Sequence, residues 1–216
     1  MIFSRKRADA GRQTRDERAV EAPDQGDVSP TLARGPYDVS ESYDDQQRLD
    51  LGSLRIPAIA EVEVRVQADP QGVIQQVVLV HGDNALQLGV FAAPRSEGIW
   101  DEVREEIRQS LLRDGASARE VDGEYGAELQ AQVRTPDGVT NLRFVGVDGP
   151  RWMVRGVFQG PVATESALSG PLVECLDGLV VDRGQDARPV REPLPLRLPP
   201  EIADQAGDAA GEPSQA

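Results

Sequence analysis

The chain has 216 residues, 39% of them hydrophobic but only 4% aromatic, enough for one domain whose core is built from valine, leucine and alanine. Its formal net charge is −14, which repels phosphate backbones and anionic lipid and argues against nucleic acid as a partner. One histidine (His81), one cysteine (Cys175) and one lysine (Lys6) exclude an intrachain disulfide and argue against P-loop, Schiff-base and ordinary zinc chemistry.

No apolar run approaches the roughly 18 residues of a membrane helix, so no membrane insertion is expected. The opening "MIFSRKRADAGRQTRDER" carries the basic cluster Arg5-Lys6-Arg7 without the apolar stretch of a signal peptide, and it reads as a solvated tail. Residues 1–18 hold six Lys/Arg against three Asp/Glu, and residues 21–50 hold eight acids against two arginines. Apolar residues there follow no period, which predicts a disordered charged leader over 1–45. Residues 200–216, with four acids and no base, form a second disordered tail. Between them, 46–199 is expected to fold as a single α+β domain.

Val62, Val64 and Val66 alternate with Glu61, Glu63 and Arg65, the pattern of a half-buried strand. Turn chemistry at 69–72 leads to "VIQQVVLVH" (73–81) and "NALQLGVFA" (84–92), completing a three-stranded meander. Pro94 cannot donate a ladder hydrogen bond and stops the third strand. Ser96 is then the expected N-cap of a helix over 97–113, whose Trp100, Val103, Ile107 and Leu111 share one face. Asp114-Gly115 ends that helix.

Strand grammar resumes with "SAREV" (117–121), "AELQAQVR" (127–134), "VTNLRFVGV" (139–147) and "RWMVRGVFQ" (151–159), with Asp148-Gly149 as the last hairpin turn. Val145, Val147, Trp152, Val154 and Phe158 lie on one face of this hairpin; Leu142, Phe144, Met153 and Val157 lie on the other. Both faces are apolar, so the hairpin should be central and covered on both sides. A second helix near 165–177, with Leu168, Leu172 and Leu176, and a closing strand in "GLVVDRG" (178–184) complete the order. The fold class is therefore α+β, a mostly antiparallel sheet of about seven or eight strands sandwiched by two helices. This pattern resembles the Mog1/PsbP-like arrangement.

"LDLGSLRIPA" (49–58), "FAAPRSEGIWDEVREEI" (91–107), "RFVGVDGPRWMVRG" (143–156) and "LPLRLP" (194–199) together resemble an actinobacterial family of unknown function, over residues 35–199. That resemblance implies no catalytic residue, substrate or cofactor. The abundance of arginine over lysine is what a GC-rich genome produces.

Arg95 and Ser96 at the helix start are candidate anion-binding groups, as are Arg151 and Arg155 beside the Asp148–Trp152 turn, whose guanidinium groups suit a carboxylate or phosphate. Against this, the arginines would pair with local acids and the tryptophan would fill core. His81 reads as a solvated hairpin end and Cys175 as a small buried apolar residue. "LGSLRIP" and "EPLPLRLP" are expected to strap across their own domain, the alternative being a partner-binding peptide. No catalytic residue, cofactor or metal site is expected. The favoured function is a non-catalytic cytoplasmic binding or adaptor module with an unidentified protein partner. The alternative is a small-molecule-binding protein or enzyme using arginines and carboxylates near Asp148–Trp152. Convergence of Arg95, Arg151 and Arg155 in one pocket would favour the alternative.

Overall fold

The computed structural model describes residues 34–41, 45–69, 73–136, 138–165 and 170–199. Seven strands form one antiparallel sheet, in the spatial order β4 (Glu63–Ala68), β5 (Ile74–His81), β6 (Asn84–Ala92), β10 (Trp152–Gln159), β9 (Gly138–Gly149), β8 (Gly126–Thr135) and β7 (Ser117–Gly123). Each meander is built from neighbours in sequence. Strand β10 then joins the two by pairing with β6 as well as β9, with Arg155 opposite Gly89 on one side and Gly146 on the other.

The central hairpin is buried on both faces, as its double apolar pattern predicts. Val145, Trp152, Val154 and Phe158 belong to the larger core, and Phe144, Met153 and Val157 to the smaller one. Helix α1 (Trp100–Arg113) covers the smaller core over β7, β8 and β9, with Trp100 buried and Val103, Ile107 and Leu111 partly buried. Helix α2 (Gly170–Asp177) covers the opposite face, where Leu172, Cys175 and Leu176 are buried. Burial pushes the Cys175 thiol up to about 11, with Glu174 adding to the shift, so it packs as an apolar group.

The sequence pattern missed a second layer. "GLVVDRG" does not close the main sheet. Its β11 (Val180–Val181) lies between β1 (Tyr37–Asp38) and β3 (Leu54–Pro57), with β2 (Arg48–Asp50) beyond, in a four-stranded sheet of its own. Leu54, Ile56 and Val181 are buried in the larger core, and Val180, opposite Arg55, is buried as well. "LGSLRIP" is thus strand as well as strap. The "EPLPLRLP" segment is a strap: it bridges Phe91 through Pro193, Gly52 through Leu196 and Val73 through Arg197, burying Leu194 and Leu196.

The expected leader 1–45 and tail 200–216 lie mostly outside the described residues, although Tyr37–Asp38 within the former form β1. Residues 70–72 of the expected turn and residues 166–169 of the expected second helix, including Leu168, also lie outside them.

Candidate functional site: an arginine-lined cleft

The hairpin turn holding Arg151 differs from the D-G expectation. Gly149 pairs with Trp152, so the two loop residues are Pro150 and Arg151, the latter at φ 65. Proline presets its own backbone angle, and the following residue takes the left-handed value that completes a tight turn. Asp148 is thereby released from the turn and points at helix α1. Its Oδ1 accepts the Ile99 N–H at 2.8 Å and its Oδ2 the Trp100 N–H at 3.2 Å. The helix has Ile99 at its N-cap position with no side-chain cap of its own, and Ser96 is exposed in the preceding loop. The expected Ser96 cap is therefore corrected: the helix start is capped from another strand.

Trp152, next along β10, donates its indole N–H to Asp38 Oδ2 at 2.9 Å, fixing β1 beside the hairpin. Strand β1 pairs with β11, and the chain leaving β11 enters a loop over 182–188. That loop, the β2–β3 turn and the strap enclose a cleft of ≈ 400 Å³. Its charged lining is Arg55, Arg183, Arg188 and Arg197 facing Asp50, Asp182 and Asp186.

The partners of these groups decide the cleft's character. Arg55 lies 3.4 Å from Asp50 and 3.7 Å from Asp182, and Arg188 lies 2.9 Å from Glu192. Asp50 and Asp182 also accept the Gly52 and Gly184 N–H groups, which holds both loops in place. Arg183 is different. It is buried, at 8% exposure, yet no carboxylate pairs with it among the described residues. One guanidinium nitrogen donates to the Asp186 main-chain carbonyl, and its Nε has no partner. Burial, with repulsion from Arg151 and Arg188, lowers its proton affinity, and attraction to the Asp186 carboxylate works against that shift. The burial is shallow, beneath the exposed 184–187 turn, so arginine stays charged. A charged guanidinium with an unmet donor and cationic neighbours has the chemistry to pair with an anion, above all a planar carboxylate or a phosphate.

Of the candidates named from sequence, Arg151 is an electrostatic neighbour of Arg183. Arg155 lies elsewhere, on the α1 side of the sheet, with its guanidinium 5.2 Å from the Phe91 ring centre. Arg95 is exposed in the loop before α1. The three arginines thus have separate surroundings. His81 is half-buried, with Nε2 3.8 Å from Glu61.

Sequence reading missed three further polar clusters. Glu128, on the polar side of its alternating strand, is buried at 2% exposure and faces Arg143 at 4.0 Å. Arg143 in turn stacks 4.5 Å from the Phe158 ring centre. Burial raises the Glu128 pKa, with Arg143 opposing it. Beyond this pair, the Tyr125 hydroxyl donates to Asp177 at 2.7 Å, and Arg34 lies 3.2 Å from the same carboxylate. Arg104, outside the apolar face of Trp100, Val103, Ile107 and Leu111, is likewise buried beside Trp100, 2.7 Å from Asp101 and 3.5 Å from Glu120. Among the described residues no group of three or more His, Cys, Asp or Glu side chains is placed to hold a metal ion. No helix there is long and apolar enough to cross a membrane.

Residues 35–205 match the family described as "Protein of unknown function (DUF3710)". The chain belongs to this family. The match takes in both sheets, both helices, the strap and every residue of the cleft. No curated protein matches the chain by sequence. Among solved structures, it is similar to a crystal structure from Bacteroides thetaiotaomicron VPI-5482, with TM-score 0.44 and 12% identity over 76% of this chain. The alignment spans 57% of that chain. It is also similar to the solution structure of cyanobacterial PsbP (CyanoP) from Synechocystis sp. PCC 6803, with TM-score 0.37 and 13% identity. That alignment covers 65% of this chain and 95% of CyanoP.

Proposed function

We propose that this member of the family is a non-catalytic cytoplasmic binding module whose Arg183 cleft receives the carboxylate or phosphate group of its ligand. The observation that carries the reading is Arg183 itself. A buried arginine with no carboxylate in ion-pair contact and an unpartnered Nε is costly, and a bound anion supplies the missing charge-assisted hydrogen bonds. Arg197, which also has no carboxylate partner among the described residues, adds a second cation on the strap side, and Arg151 adds a third nearby. The volume, ≈ 400 Å³, suits a small ligand or a single side chain of a partner. Acidic charge elsewhere on the chain disfavours an extended polyanion, which would meet repulsion beyond the cleft.

The test is calorimetric titration of the full chain with inorganic phosphate and, separately, with succinate, at constant ionic strength set by chloride. Saturable binding of either anion that weakens about tenfold or more in Arg183→Gln is the expected result. Absence of saturable binding by both anions, or equal binding in Arg183→Gln and wild type, overturns the reading. If a purified protein partner binds and is displaced by the same anion, the ligand is a partner's acidic or phosphorylated side chain.

A further inference from the structure

The seven-stranded sheet ends on β4 at one side and on β7 at the other, and each end strand is paired along one side only. Alternate residues of an antiparallel end strand turn their N–H and C=O groups away from the neighbour, which makes the edge a template for another strand. Among the described residues, no backbone hydrogen bond from outside the sheet reaches Glu63–Ala68. Strand β4 is six residues long and contains no proline to close it off. Val64 and Val66, with Val62 just before the strand, are half-buried and packed against the larger core. Glu63, Arg65 and Gln67 are exposed on the other face, where Arg65 donates to Glu63 at 3.0 and 2.8 Å.

We infer that β4 is the contact strand of a homodimer, pairing antiparallel with β4 of a second copy of this chain about a two-fold axis at Val64. A two-fold axis normal to the sheet opposes residues of the same face whose numbers sum to twice that of the axial residue. With the axis at Val64, Glu63 stands opposite Arg65 of the second copy, and Arg65 opposite its Glu63. Val64 meets its own equivalent and Val62 meets Val66, so the half-exposed valines extend the larger core across the axis. The neighbouring registers all oppose like charges, which destabilises a strand pair. An axis at Glu63 or Arg65 sets that residue against itself. An axis at Val62 sets Glu61 against Glu63, and one at Val66 sets Glu63 against Asp69. Charge therefore selects a single register.

The other edge offers no such selection. On β7, Arg119 lies on the opposite face from Glu120 and Asp122, so self-pairing never opposes unlike charges, and Glu120 is engaged by Arg104 and Arg108 of α1. The net charge of −14 on each chain repels a second copy at long range. At about 0.15 M salt the Debye length is about 8 Å, which screens that repulsion while charges in contact across the strand boundary still attract.

The test is sedimentation equilibrium of the full chain at about 0.15 M chloride and up to about 100 μM chain. Wild type should approach two chain masses as concentration rises. Glu63→Arg makes the edge wholly basic and Arg65→Glu makes it wholly acidic, so each alone should dimerise about tenfold or more weakly. Mixed in equal amounts, the two variants should form a one-to-one dimer, because a basic edge then faces an acidic one. Both positions are exposed, and melting curves establish that each variant is folded. Arg119→Glu, on the opposite edge, should leave the dimer unchanged. Wild type that stays monomeric, single variants that dimerise as wild type does, a mixture that stays monomeric, or loss of the dimer in Arg119→Glu overturns the inference. Phosphate and succinate titrations bear on the Arg183 cleft alone, since β4 contributes no residue to it.

Discussion

Asp148 caps the helix that begins at Trp100, although 48 residues separate them: its carboxylate accepts the N–H groups of both Ile99 and Trp100. The first N–H groups of a helix have no partner inside it, and a carboxylate there also meets the positive end of the helix dipole. Asp148→Ala should therefore cost about 0.5–2 kcal/mol, the usual loss for an N-cap. Ser96→Ala, at an exposed loop position, should stay within about 0.5 kcal/mol. Urea unfolding of both variants checks this, and the cap assignment fails if the two effects are reversed.

Gly146 is a steric requirement of the same contact. The Trp100 indole donates to the Ala127 carbonyl at 2.7 Å and lies against β9, where a Cβ on residue 146 would come within 2.1 Å of the ring. Gly146→Ala should cost about 1–3 kcal/mol by overpacking, and Trp100→Ala about 3–5 kcal/mol by leaving a cavity. Thermal unfolding reads both. An unchanged melting temperature in either variant would mean that the helix shifts freely on the sheet.

The buried Glu128 carboxyl gives stability a defined pH dependence. Burial raises its pKa in the folded chain above that in the unfolded chain. Between those two values the folded state binds more protons, so unfolding free energy falls as pH rises through the window above about 4.3. The contribution is fully present below the window and lost above it. Glu128→Gln should remove this slope relative to wild type in urea titrations from about pH 4 to 7. Parallel pH profiles would show that the carboxyl is not perturbed. Asp177, also raised by burial, contributes with the same sign in both proteins.

The strap separates burial from charge. Leu196 is buried in the larger core, whereas Arg191 pairs with Glu102 at 2.5 Å and Glu106 at 2.7 Å on exposed α1 side chains. Leu196→Ala should cost about 2–5 kcal/mol. Arg191→Ala should cost at most about 1 kcal/mol, because exposed ion pairs are screened and lose side-chain entropy. A larger effect from Arg191 would assign the strap's hold to its charges.

Periodicity was sufficient for the elements that carry their own signal. The two-sided apolar pattern of 139–159 marked the sheet centre, since only a strand covered on both faces tolerates it. The i, i+3, i+4 spacing from Trp100 to Leu111 defined the buried face of α1, and Pro94 and Gly115 bounded the segment that contains it. Arg151 was recognisable as a candidate because an arginine beside a tight turn and a tryptophan is locally distinctive.

The local pattern had no means of specifying β1, β2, β3 and β11, which are two to four residues long; β1 and β3 pair with β11 across more than a hundred positions, and β2 is held at the edge beside β3. The same holds for polar side chains. Asp148 reads as turn chemistry, and Glu128 and Arg104 read as solvent-facing, because their partners come from other elements. Alternation and hydropathy thus determined the longer strands, helix α1 and which of their faces are apolar. Only tertiary packing decided which carboxylate caps a helix and which arginines are left without a counter-ion. Burial and charge pairing depend on distances between elements remote in sequence, and those distances exist only once both sheets and the strap are assembled.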